Sequence, residues 1–148
     1  MPSALTDEDR EKIETLAERI LEAYGAKEPP VPVEQIAARP PKGLKSLELE
    51  NMSYVFGFGE HQHEFRMALT RLLYRQICDS GWAGVELPYT RDAARYFASC
   101  LMMPRSWVLK AVRNPFTDLT KLSEKFQVPE YEMGTRLAQL NKKVRGMQ

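Results

Sequence analysis

Apolar residues recur at helical spacing through most of this chain. Near the start, Ile13, Leu16, Ala17, Ile20, Leu21 and Tyr24 fall on one face of a helix that Gly25 stops. Thr6 and Asp9 ahead of it have capping-box spacing, with Asp in the slot usually held by Glu or Gln. The proline-punctuated stretch "KEPPVPVEQIAARPPKG" holds one short helix, about 33–38, between rigid flanks. The period then changes from helical to two. Leu44, Leu47 and Leu49, followed after "ENM" by Tyr54, Phe56 and Phe58, predict a β-hairpin.

Helical spacing returns with Phe65, Ala68, Leu69, Leu72, Leu73 and Ile77 in "FRMALTRLLYRQIC". A loop, "DSGWAGVELPYT", leads to another helix carrying Ala93, Ala94, Phe97, Ala98, Leu101 and Met102. Pro104 opens the next helix, and Asn114–Pro115 breaks it. Two short helices, "FTDLTKLSEKF" and "PEYEMGTRLAQLNKKV", close the pattern, separated near Val128–Pro129. The expected class is α+β, mostly helical with a small antiparallel sheet early in the chain. A single domain over 1–148 is expected, with the helix pair at 116–144 packed on the core.

Composition narrows the function classes. Of 148 residues, 43% are hydrophobic and 28% charged, values ordinary for a water-soluble domain. No apolar run is long enough to span a bilayer. The opening "MPSALTDEDREK" is too acidic for a secretory leader, so a cytoplasmic protein is expected. Cys78 and Cys100 stand far apart in apolar helices and read as reduced, buried thiols. Met102, Met103, Trp82 and Trp107 read as core. The net charge of +1 conceals a gradient: residues 1–30 carry eight acids against four bases, and residues 105–148 nine bases against four acids.

The order of elements resembles the ImmA/IrrE family of zinc-dependent metallopeptidase domains, from about Leu16 to Leu140. "PPVPVEQIA" is similar to the family's proline-rich entry into its second helix. "FRMALTRLLYRQI" resembles its active-site helix, "DAARYFASCLMMP" its EAN-x-FA-x-x-LLMP segment, and "LTKLSEKFQVPEYEMGTRLAQL" its C-terminal helix pair. The resemblance implies a histidine–glutamate–x–x–histidine motif on the active-site helix. Its two imidazoles would hold Zn²⁺ and its glutamate would act as general base toward the metal-bound water. By position, the two histidines fall on Arg71 and Arg75, the glutamate on Leu72, and a third, carboxylate ligand on Ala93, with Asp92 one residue away. Arginine stays protonated and has no lone pair for a metal, and leucine cannot accept a proton. The expectation is therefore an inactive relative with no cofactor, acting through contact with a protein. By resemblance, that partner is a helix-turn-helix transcription regulator.

Arg71 and Arg75 lie one helical turn apart and need counter-charge or solvent. Three arrangements are open: a salt-bridge staple through Asp92 and Asp79, exposure to solvent, or reception of a partner's carboxylate or a phosphate. Two alternative functions are also carried. A relocated metal could use His61 and His63 of "GEHQHEF", whose rings would point one way in a strand. DNA binding could use the C-terminal pair, with Lys121, Lys125, Arg136, Lys142, Lys143 and Arg145 as the basic residues. Against DNA, Gln127 stands where a helix-turn-helix wants glycine, and the second helix opens with Glu130 and Glu132. The sequence is silent on oligomeric state.

Overall fold

A computed structural model of the chain describes residues 5–44 and 62–147. Among these residues seven helices run in order: α1 (Asp7–Ala23), α2 (Val33–Ala38), α3 (Gln62–Ser80), α4 (Arg91–Met102), α5 (Arg105–Ala111), α6 (Leu119–Phe126) and α7 (Glu130–Gln139). No strand occurs among the described residues, where pairing is limited to a single parallel bridge between Asp118 and Arg145. The α+β expectation is corrected accordingly: the described fold is helical. The period-two segments behind that expectation fall, apart from Leu44, outside the described residues. Alternation of apolar and polar residues is a local preference, whereas a sheet needs partner strands.

Local chemistry explains the helix boundaries. The Asp9 N–H donates to Thr6 Oγ1 at 3.0 Å and the Thr6 N–H donates to Asp9 Oδ2 at 3.2 Å, so the capping box closes in both directions. Gly25, just past α1, adopts φ 64°, a left-handed conformation that costs glycine nothing. Thr90 and Asp118 cap α4 and α6, accepting from the N–H groups of Ala93 and Lys121 at 3.1 and 2.8 Å. Gln127 ends α6 at φ 55°, ψ 53°, and the Val128 N–H reaches back to the Ser123 carbonyl at 3.0 Å. The tight turn expected of a glycine is thus made by glutamine.

The core gathers around α4, nine of whose twelve residues are buried. It packs against both α1 and α3, α2 packs on α3, and α6 packs on α7. Tyr74 of α3 lies beside Phe97 of α4, ring centroids 5.2 Å apart, and its hydroxyl donates to the Pro88 carbonyl at 2.6 Å. Cys100, Met102 and Met103 belong to the core, with Trp82 and Trp107 packed against it. After α7 the chain turns back through Asn141 (φ 57°), and the Leu119 N–H donates to the Arg145 carbonyl at 2.8 Å. The last basic segment is consequently pinned to α6, and the final helix ends earlier than its sequence pattern predicts. No helix of the described residues is long and apolar enough to cross a membrane.

Two buried arginines tie distant segments together. Arg66, 2% exposed, donates from Nη1 to both carboxylate oxygens of Glu34, from Nη2 to the Val31 carbonyl at 2.7 Å, and from Nε to the Gln127 carbonyl at 3.3 Å. It joins α3 to the start of α2 and to the turn between α6 and α7. Arg136, fully buried on α7, donates to the Met103 carbonyl at 2.9 Å and to Glu14 of α1 at 3.2 Å. The same Glu14 carboxylate receives Arg105 Nε at 2.9 Å. Burial by itself would raise the Glu14 pKa; the Arg105 hydrogen bond and the charges of Arg136 and Arg105 outweigh it and hold the carboxyl below its usual value.

Candidate functional site: an arginine-lined cleft

An open cleft of about 1280 Å³ runs between α1, α3, α4 and α7. The α3 wall presents Ala68, Arg71, Leu72 and Arg75, a stripe spaced three, one and three residues apart. From α4 come Arg91, Asp92, Ala94 and Arg95, with Tyr96 and Ser99 deeper along the helix. The facing side is built from Asp7, Glu11 and Glu14 of α1 and from Tyr131, Glu132 and Thr135 of α7.

Of the residues singled out in the sequence, Arg71, Leu72, Arg75 and Asp92 line this one cleft. Ala93 is different: it is 0% exposed and belongs to the core, and its neighbours Asp92 and Ala94 line the cleft instead. Asp79 is exposed and is not among the lining residues. The staple does not form: the ion pairs of the described residues include neither Arg71–Asp92 nor Arg75–Asp79. Arg71 is half-buried and Arg75 exposed, so the cleft leaves both accessible to water.

Two further arginines escaped the sequence reading. Arg91 and Arg95 repeat on α4 the one-turn spacing of Arg71 and Arg75 on α3, and the four line the same cleft. That repeat of spacing on neighbouring helices was the available signal. None of these four pairs with a described carboxylate, whereas Arg10, Arg66, Arg105 and Arg136 each do. Glu132 comes closest to serving them. Burial pushes its carboxyl above the ordinary range, and the nearby charges of Arg71 and Arg95 offset that only in part.

The residues on the cleft do not fit the zinc that the resemblance implies. Guanidinium groups offer no lone pair, and Leu72 offers no base. Among the described residues no cluster of three or more His, Cys, Asp or Glu could hold a metal ion. His63 is the second residue of α3, in a helix and not the strand that would align two rings, and His61 lies outside the described residues. A thiol nucleophile is equally unsuited: burial raises the Cys78 thiol and pushes the Cys100 thiol to about 12.

The basic residues proposed for DNA contact scatter. Arg136 must be removed from that set, because its guanidinium is fully buried against Met103, Glu14 and Gln139. Lys121 and Arg145 donate to the carbonyls of Phe116 and Pro115 at 3.2 and 3.3 Å, while Lys125, Lys142 and Lys143 are exposed. The α7 face that a helix-turn-helix would turn toward a duplex, carrying Tyr131, Glu132 and Thr135, is instead a wall of the cleft.

Comparison with known proteins places part of this architecture. The family model for the IrrE N-terminal-like domain of peptidase M78 matches residues 88–138, from the approach to α4 through nearly all of α7. No curated protein and no solved structure matches the chain. The matched stretch holds the Asp92–Pro104 segment and nearly all of the C-terminal helix pair on which the resemblance rests, and over those residues the chain is similar to an ImmA/IrrE-type domain.

Proposed function

We propose that the domain has kept the metallopeptidase-like architecture without its zinc chemistry and works as a regulatory interaction module, using the cleft as its contact surface. One observation carries this reading: the cleft positions where the family resemblance expects two imidazoles and a general base hold Arg71, Arg75 and Leu72. Cationic, solvent-reached side chains there suit recognition of a partner better than activation of water. By the same resemblance, the partner class is a transcription regulator of the helix-turn-helix type.

The test is metal content and hydrolysis together. Protein purified from zinc-supplemented cells should contain zinc well below one ion per chain and should leave unfolded casein intact. One zinc per chain with casein cleavage would overturn the proposal and point to a site using His61 and His63. The DNA-binding alternative has less support, since the α7 face carrying Tyr131, Glu132 and Thr135 lines the cleft. A gel shift that weakens with salt would revive it.

A further inference from the structure

We infer that the basic wall of the cleft, Arg71 and Arg75 on α3 with Arg91 and Arg95 on α4, binds an acidic polypeptide segment. This rests on the reading of the cleft as an interaction surface and supplies the chemistry of its ligand. The first support is the gathering of unpaired charge. Arg10, Arg66, Arg105 and Arg136 each have a carboxylate, and Arg19, Arg39, Arg113 and Arg145 lie off the cleft, whereas these four line one cleft without a described ion-pair partner. Like charges gathered on neighbouring helices repel, and a ligand that brings carboxylates relieves that repulsion.

Spacing gives the second support. Each pair lies four residues apart on its helix, so its anchors are separated by roughly 6 Å along the axis. Carboxylates spaced one helical turn apart on a peptide match that interval, and a guanidinium fork receives a carboxylate through two parallel hydrogen bonds. Size agrees. A cleft of about 1280 Å³ is far larger than a single anion requires and accommodates several residues of chain. Leu72, Ala68 and Ala94 supply an apolar floor between the charges.

The opposite wall selects among polyanions. Asp7, Glu11 and Glu14 of α1 and Glu132 of α7 face the same space, together with Arg10, which pairs with Asp7, and with Asp92 between the α4 arginines. A nucleic acid strand carries charge at every phosphate and would meet those carboxylates at close range. A peptide can present acids to the α3–α4 side and neutral or basic residues to the α1 side.

Fluorescence anisotropy with the full chain tests this. The probes are a labelled helical peptide with glutamate at every fourth position, its glutamine counterpart, and a labelled thymidine oligonucleotide. The glutamate peptide should bind more tightly than either comparator, by on the order of tenfold at low ionic strength, and should weaken as salt rises. Arg71→Gln with Arg95→Gln should weaken it by on the order of tenfold while the circular-dichroism melt stays cooperative. Lys142→Gln with Lys143→Gln should leave it unchanged. Equal binding of the glutamine peptide, tighter binding of the oligonucleotide, or indifference to the arginine changes overturns the inference. Should the double variant fail to fold, the salt series on the unaltered chain decides, and salt-independent binding overturns it. Mass spectrometry of the recovered peptide separates the two proposals. A cleaved peptide defeats the non-catalytic reading and leaves the ligand class standing, and an intact but unbound peptide does the reverse.

Discussion

Glu14 shows how much one carboxylate can carry. It faces Arg105 and the fully buried Arg136, and removing it strands a guanidinium that has no water to turn to. Glu14→Ala should destabilise the fold by about 3 kcal/mol at neutral pH, read from urea denaturation midpoints. Its carboxyl is held below the ordinary 4.5, so its stabilising contribution is complete above that value and disappears as pH falls through the depressed folded pKa. The variant and the original should therefore converge in stability in acid. Glu132 has the opposite sign. With its folded pKa raised, ionisation costs stability as pH rises from 4.5 through the folded value. Glu132→Gln should raise the melting temperature at pH 7 and make no difference well below pH 4.5, and a lower melting temperature at pH 7 would contradict this. Neither pairing was legible in the sequence. Glu14 lies 91 positions from Arg105 and 122 from Arg136, and nothing local announces an ion pair over such separations.

At the scale of elements, the turn between α6 and α7 carries a local conflict. Gln127 sits in the left-handed region, which costs a residue with a Cβ about 1 kcal/mol or more. Its carbonyl also receives Arg66, so the conformation is held from outside the turn as well as by the Ser123–Val128 hydrogen bond. Gln127→Gly should stabilise the protein by about 1 kcal/mol in thermal or chemical melts, and destabilisation would show that the glutamine side chain contributes packing the backbone argument omits. The elements themselves were largely readable. The buried face of α1 (Ile13, Leu16, Ala17, Ile20 and Leu21) is the one its spacing predicts, and its cap is formed by Thr6 and Asp9 as read. Such signals are legible because each is complete within one or two helical turns. The β-hairpin expectation had no comparable support, since period two reports a preference that neighbouring strands must complete. A sequence without glycine at the turn likewise looked like a poor helix-turn-helix, yet tertiary contacts enforce the backbone that glycine would have chosen.

Across the whole molecule, the cleft is where separate segments meet. Its α3 stripe was legible, because Arg71, Leu72 and Arg75 share a helix face with Ala68. The exposed flank of α4 was legible only at Asp92, since Arg91 and Arg95 gain meaning once that helix is laid beside α3. The acidic wall was not legible at all, being assembled from α1 and α7 at opposite ends of the chain. Arg136 reads as part of a basic surface for the same reason: charge is visible in a sequence and burial is not. That side chain also sets an order of events. Glu14 and Arg136 are 122 positions apart, and at roughly 5–20 residues synthesised per second the carboxylate waits roughly 6–24 s for its guanidinium to be made. By then α4 is already available to cover the apolar face of α1. The buried pair is thus a latch that can close only after α7 has been made, when the partners of the α1–α4 contact are already in hand.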